Sequence, residues 1–295
     1  MAGTMTAAAL RSYEAAGAIL RKVRGEAGSR ARAGVRYLDL AVFVEGEIAR
    51  LGGRPAFPCN ISVNEVASHY TPSADDAGEL KPGDLVKIDL GVVLDGYIAD
   101  SAISIGVATT AHQELIDAAG RVLADAIGAI RPGALTGEIG GVIESSARAY
   151  GFSVLKDLYG HALDKECLHG GLTIPSYDDG SRQKIREGDV LAIEPFLTEG
   201  NGEIARLPGG NIFQLARRNY AFVGMREKKL LMEIENKYNG FPFARRWLDD
   251  REALEALARQ AIVAEYPVLV EKDGMPVAQA EHTVIVGGEG CKIIT

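Results

Sequence analysis

Residues Lys87 to Asp100 read Lys-Ile-Asp-Leu-Gly-Val-Val-Leu-Asp-Gly-Tyr-Ile-Ala-Asp, an apolar, β-branched run broken by Asp95-Gly96 and resumed through Ile105. Asp-Gly between two such runs is the strongest short-range signal for a hairpin with a two-residue turn. That turn pairs Leu94 with Tyr97, and counting back sets Gly91 opposite Asp100. Asp89 lies two residues before Gly91 and shares its face, because side chains alternate along a strand. Asp89 and Asp100 are then diagonal neighbours, roughly 7–8 Å apart at the backbone, with a glycine leaving room between them. Two carboxylates on one face of an apolar strand call for a positive partner, since burying unpaired charge is costly. The competing reading is an exposed sheet face with two solvated acids, and a one-residue bulge would break the register.

The 295-residue chain has 32 Lys and Arg against 40 Asp and Glu, a formal charge of -8. That balance argues against a general nucleic-acid binder, DNA included, but leaves the local charge of a site open. Apolar residues make up 47% of the chain, enough for the core of one large α/β domain with or without an insert. Cys59, Cys167 and Cys291 are an odd number with no CxxC spacing, which favours free thiols in a reducing compartment. No long apolar run and no basic-then-apolar leader is present, so a cytoplasmic protein without a membrane partner is expected.

Around the hairpin the chain repeats itself. Thr6 to Gly25 and Tyr37 to Leu51 read as helices, and Leu115 to Ile130 and Thr136 to Tyr150 read as a second pair. Gly34 and Gly52 match Gly133 and Gly151 at a common offset, and Leu80 to Asp89 aligns with Ile185 to Glu194. Each half is two helices followed by strands, and each presents a carboxylate after the same Gly-Asp lead. Chance similarity of short Gly/Asp motifs is the alternative. Two pseudo-symmetric ααββ halves meeting at a sheet would bring Asp89 and Glu194 to one cleft. Residues 201–266 break the pattern with dense Arg, Lys and Glu. They read as an inserted helical subdomain of structural role, with helices at Met225 to Tyr238 and Arg251 to Val263. Residues 1–200 and 267–295 make up the remaining domain. Ala278 to Val286 then reads as one strand with Glu281, Thr283 and Ile285 on one side.

Asp89, Asp100, His161, Glu194 and Glu281 are polar residues set in apolar strands or Gly-flanked turns. Four carboxylates and an imidazole form a ligand set for divalent first-row metals. Four negative charges balance two divalent ions, whereas a single ion leaves two in excess, so a dinuclear site with ions about 3.5–4 Å apart suits the set. Gly91 would be the spacer that clears the ions. Salt bridges and solvated acids remain the other reading. His69 and His169 lie in loops beside these residues, where they could donate protons or hydrogen bonds to a substrate. His112 reads as solvated at a helix start, and His282 should point away from Glu281.

With these residues assembled, the chain resembles the methionine aminopeptidases, specifically the type II form in its short, archaeal-like version. The resemblance spans nearly the whole chain. It rests on Phe57-Pro with Ser68-His69-Tyr-Thr-Pro72, on Ile88-Asp89-Leu-Gly91 with Asp100, and on Gly160-His161 with Leu168-His169-Gly. Ala192-Ile-Glu194-Pro-Phe, Gln279-Ala-Glu281-His-Thr and the long insert before the last glutamate complete it. It implies an α+β pita-bread fold and removal of N-terminal methionine from nascent peptides when the second residue is small. It implies two divalent ions per chain (Co, Mn, Fe or Zn) held by Asp89, Asp100, His161, Glu194 and Glu281. His69 and His169 match the substrate-contacting histidines, and Phe57, Leu168 and Tyr266 the methionine side-chain pocket. Glu194 is the candidate for moving the proton of the attacking water. The family expectation is a monomer, with a transient ribosome contact through the insert left open. Asp164-Lys-Glu-Cys167 stands where an aromatic residue is expected, which leaves the finer shape of the pocket open. A prolidase or Xaa-Pro aminopeptidase of the same fold, and a non-catalytic relative that binds ribosomes or RNA, are the rival readings.

Overall fold

The computed structural model describes residues 5–218 and 223–295. Residues 219–222, part of the charged stretch of the expected insert, lie outside the described residues. Helix α1 (Ala7–Arg30) is capped by Thr6, whose Oγ1 accepts the Ala9 N–H at 3.1 Å. It runs past Gly25, where a stop was expected, because Val23 and Ala27 are buried and Gly28 lies 3.1 Å from Ile105 Cδ1 as judged from its missing Cβ. Close packing against the hairpin outweighs the weak helix propensity of two glycines. Helix α2 (Tyr37–Arg50) follows, then the short strands β1 (Asn60–Val63) and β2 (Val66–Ser68).

The hairpin is β3 (Leu85–Leu94) and β4 (Tyr97–Gly106), with Leu94 opposite Tyr97, Gly91 opposite Asp100 and no bulge between. Asp95 and Gly96 both take positive φ, as a two-residue turn of this kind demands. The other edge of β3 pairs with β1. Helices α1 and α2 cover this sheet through Leu20, Val23, Val44, Ile48, Ile88 and Leu90. The second half repeats the plan. Helices α3 (Gln113–Ala129) and α4 (Thr136–Ala149) pack Leu115, Val122, Ile139 and Ile143 on Leu191, Ile193 and Val284. A further cluster of Tyr13, Phe57, Ile98, Leu168, Ala192 and Ile285 joins the two halves.

Strands β5 (Gly160–Ala162), β6 (Val190–Ile193) and β7 (Phe196–Thr198) precede β8 (Ile204–Leu207) and β9 (Ile212–Leu215). Helix α5 (Met225–Tyr238) and helix α6 (Arg251–Arg259) then lead to β10 (Val263–Glu265). Between β9 and β10 lies more than helix: β9 pairs with Phe243–Ala244 and with β10, and the helices pack on that sheet through Phe213, Leu231, Ile234, Phe243, Leu254 and Leu257. Strand β8 pairs instead with β11 (Val268–Glu271), which also pairs with β2.

Ala278 to Val286 is not one strand. It splits into β12 (Val277–Gln279), paired with β7, and β13 (His282–Val286), paired with β6 and with β14 (Cys291–Ile293). The cause sits across the ladder, where Pro195 separates β6 from β7 and has no N–H to offer. Ala280 donates to the Pro195 carbonyl at 3.4 Å, and Glu194 and Glu281 fall together at the shared break. Among the described residues no helix is long and apolar enough to cross a membrane.

Candidate active site

The hairpin delivers its two aspartates to one buried face: Asp89 is 9% and Asp100 4% exposed, so they are not solvated acids on an open sheet. Strand β4 is not laddered to β12 or β13; side chains join them. Thr283 Oγ1 accepts the Asp100 N–H at 2.8 Å and donates to the Asp100 carbonyl at 2.7 Å. Ser101 Oγ donates to the Glu281 carbonyl at 2.8 Å, and Ser104 Oγ to the Gln279 carbonyl at 2.7 Å. These contacts bring Glu281 over the hairpin, where ligand atoms of Asp89, Asp100 and Glu281 lie within 4.8 Å of one another.

The second half contributes Glu194 and His161. Strand β5 pairs His161 with Ala192, two residues before Glu194. His161 Nδ1 lies 3.3 Å from the Ala162 carbonyl, which places its proton there and turns Nε2 toward Glu194 Oε1 at 3.6 Å and Asp100 Oδ2 at 3.8 Å. Arg24 of α1 reaches in from behind, with Nη1 3.4 Å from the Glu281 carbonyl and 3.1 Å from His282 Nδ1. His282 faces away from the acids, its Nδ1 also 2.9 Å from Thr295 Oγ1. His112, expected to be solvated, is half-buried just before α3, its Nε2 3.0 Å from the Gly83 carbonyl.

Burial governs the protonation of this cluster. Desolvation raises Asp89 to about 7, and desolvation followed by repulsion from Asp89 lifts Asp100 well above the usual carboxylate range. Glu194 and Glu281 are raised for the same reasons, with Arg24 pulling Glu281 partly back. His161 is held down at about 3 by burial and by His169, so its imidazole is neutral, the form that ligates metals. Asp89 Oδ1 and Asp100 Oδ1 are buried with no hydrogen-bond partner. Buried carboxylate oxygens left bare beside further acids need cations, and a four-acid, one-imidazole set fits divalent ions.

These side chains form one end of a cleft of ≈ 430 Å³. Its walls include every other residue singled out from the sequence: Phe57, His69, Leu168, His169 and Tyr266. His169 packs edge-on to His161 with ring centres 4.6 Å apart, and His69 to Tyr266 at 5.2 Å. His69 takes a left-handed backbone (φ 65) and is held down at about 4 by burial and by His169. The Tyr266 hydroxyl donates to Gln214 Oε1 at 2.7 Å. At Gly91, expected as the spacer that clears the ions, a Cβ would lie 2.4 Å from Phe57 Cε1 and 3.0 Å from Ala56 Cβ, so its absence admits the Phe57 ring. Asp164 to Cys167 closes a tight turn through Asp164 N to Cys167 O (3.0 Å), and Glu166 N–H donates to the Gly96 carbonyl at 2.8 Å. The segment thus braces the hairpin tip.

Sequence reading missed Asn60, Asp157, Tyr159 and Arg206 on the cleft wall and Thr283 beneath Asp100. Thr283 was placed on the correct face, but nothing in the pattern ties it to an aspartate so distant in the chain.

Two helix-backed halves that close on a buried acid–imidazole cluster beside an apolar cleft define a metal-dependent hydrolase. The chain matches the model of metallopeptidase family M24 over residues 11–243. It is 43% identical over 296 residues to the methionine aminopeptidase of Methanothermobacter thermautotrophicus, covering 97% of this chain and 98% of that one. Its fold is that of the methionine aminopeptidase from Rickettsia prowazekii (TM-score 0.74, 23% identity, 100% of both chains) and of a thermophilic Arx1 (TM-score 0.85, 20% identity, 99% of this chain and 91% of that one). The protein belongs to the methionine aminopeptidases of metallopeptidase family M24, with the α+β pita-bread fold.

Proposed function

We propose that the protein removes the N-terminal methionine from peptides and nascent chains, preferring a small second residue, with two divalent ions per chain. The observation that carries this reading is the convergence of Asp89, Asp100, His161, Glu194 and Glu281 on the lining of the cleft, with bare buried oxygens among them. These five residues would hold the ions, and the charge balance of four carboxylates against two divalent cations favours a pair. Divalent ions held there supply Lewis acidity and an acidified water.

The remaining work falls to side chains. Glu194, at the strand break and not locked into a ladder, accepts the water's proton and passes it to the leaving amine. His69 and His169 face the cleft as neutral imidazoles able to donate one hydrogen bond each toward the oxygen on which charge develops. Phe57, Leu168 and Tyr266 form an apolar socket for a thioether, which needs no hydrogen-bond partner. Co, Mn, Fe and Zn all suit the donor set, and availability decides among them. Residues 201–266 form the inserted subdomain, supported by the separate packing of α5 and α6 on the sheet around β9. A monomer in the cytoplasm, with nascent chains as substrate, completes the reading.

Release of methionine from Met-Gly-Met-Met tests it. Exhaustive EDTA treatment should abolish release and added divalent metal should restore it; an undiminished rate after chelation would sink the metal reading. Hydrolysis of Xaa-Pro dipeptides at a comparable rate would favour the prolidase rival.

A further inference from the structure

Arg246 stands outside the reaction scheme, yet it is the cation that the second wall of the cleft is tied to. It belongs to a 3-10 turn, Arg245–Trp247, between α5 and α6, and its side chain is only 4% exposed. One guanidinium nitrogen, Nη1, donates to Thr71 Oγ1 at 2.7 Å and to the Pro72 carbonyl at 3.0 Å. The other, Nη2, pairs with Glu45 of α2. Glu45 also accepts the Trp247 indole N–H at 2.9 Å and the Cys59 backbone N–H at 3.1 Å. Thr71 Oγ1 in turn donates to the Cys59 carbonyl at 2.7 Å.

One buried cation therefore links two strips of chain that front the substrate. Thr71 and Pro72 follow His69 by two and three residues, and Cys59 follows Phe57 by two. Neighbouring residues of the insert reinforce the hold: the Thr71 N–H donates to the Gly210 carbonyl at 3.1 Å, and Asn211 Nδ2 to the Thr71 carbonyl at 3.1 Å. The hold is needed, because His69 sits in a left-handed conformation (φ 65) that an L residue keeps only where its surroundings over-determine it.

We infer that Arg246 is a positioning residue for catalysis, fixing His69 at the cleft, so that the segment between α5 and α6 sets the geometry of the wall facing the metal-binding acids. This rests on the donor role proposed for His69. A buried cation serving only as a stabilising partner of Glu45 would make a different prediction, because its loss would not depend on whether His69 is present.

The test is a double-mutant cycle on metal-loaded protein, reading kcat and KM for Met-Gly-Met-Met, bound metal and Tm. Arg246→Lys retains a countercharge for Glu45 but cannot span Thr71, Pro72 and Glu45 together. It should lower kcat about tenfold, as a small misplacement of a donor does, with bound metal unchanged. In a His69→Ala background the same substitution should lower kcat less than twofold. Thr71→Val, which keeps the ion pair and the side-chain volume, should behave alike with a smaller loss and serves if Arg246→Lys does not fold. Equal losses with and without His69, or no loss at all where His69→Ala is itself impaired, overturn the inference alone. An unimpaired His69→Ala enzyme overturns the donor role and the inference with it.

Discussion

Gly91→Ala is the smallest perturbation that reaches the cleft from the hairpin. No strain arises from the backbone, because Gly91 does not take a positive φ. The new methyl would stand 2.4 Å from Phe57 Cε1, 3.0 Å from Phe57 Cδ1 and 3.0 Å from Ala56 Cβ. Carbon atoms prefer separations of about 3.5–4.0 Å, so the ring must retreat by about 1 Å. Ala56 cannot retreat with it easily, because its N–H is bonded to the Gly91 carbonyl at 2.9 Å. Overpacking of this kind costs about 1–3 kcal/mol. Phe57 borders open cleft on one side, which favours the lower half of that range, about 1–2 kcal/mol. For a chain of this size each kcal/mol lowers Tm by about 2–4 °C. The ring can move only into the cleft, at the expense of the methionine socket. A loss of about 1.4 kcal/mol of substrate binding raises KM tenfold with kcat little changed. Differential scanning calorimetry and steady-state kinetics on Met-Gly-Met-Met measure both. Phe57→Leu introduced beside Gly91→Ala should recover part of the Tm by removing the clashing ring atoms. Unchanged Tm and unchanged KM in Gly91→Ala would refute the assignment of Gly91 as the space for Phe57.

Metal-free protein should lose stability as pH rises. Asp89, raised by burial to about 7, and Asp100, Glu194 and Glu281, raised by burial and by one another's charge, all lie above the values of about 4 for the unfolded chain. Raised carboxyls favour the folded state while protonated, so their contribution is complete below about pH 4 and is lost as pH climbs through the folded values. The depressed histidines, His161 and His69, oppose this only below about pH 6.5. EDTA-stripped protein should therefore lose Tm between about pH 4 and 7, the span from the unfolded carboxylate value to that of folded Asp89, while loaded protein falls less; parallel profiles would contradict the cluster's electrostatics. Thr283→Val removes both bonds to the Asp100 backbone and should weaken metal affinity about 10- to 100-fold. Equilibrium dialysis reads that directly, and wild-type affinity would count against the brace. His169→Ala should lower kcat about 10²–10³-fold, as loss of one hydrogen-bond donor to developing charge does. Metal analysis must find the ions retained, since their loss would make His169 a ligand.

The hairpin was legible to the residue, because a two-residue Asp-Gly turn leaves no freedom in register. Helix α5 was legible too, beginning at Met225 and ending at Tyr238 as its periodicity predicts. What escaped depends on partners distant in sequence. Pro195 is plain in the sequence, but its effect on the strand of Glu281 needs the knowledge that β6 and β13 are neighbours. The sheet around β9 escaped because its strands are short and bounded by charged residues, where period-two alternation has no length to show. Arg246 reads as one more solvated charge in a basic stretch; only its burial against Glu45 reveals otherwise. Gly91 was rightly marked as a required absence of side chain, but the group that uses the space comes from the loop before β1, beyond the reach of hairpin geometry.

Fold likeness alone does not separate the candidate activities, since the thermophilic Arx1 has the higher TM-score of the two solved structures compared above. The electrostatics of the cluster discriminate better. The buried Asp89, Asp100 and Glu281 and the half-buried Glu194, each raised in pKa, oppose the folded state at neutral pH unless cations join them. Arg24 supplies positive charge from behind, and it touches a backbone carbonyl and not the bare oxygens. A fold serving only as a scaffold gains nothing from such a cluster, and replacing its acids by neutral isosteres would relieve it. Asp100→Asn should therefore raise the Tm of EDTA-treated protein while abolishing release of methionine. If the substitution instead destabilises the stripped protein, the acids are holding the fold together through partners other than metal, and the non-catalytic reading gains ground.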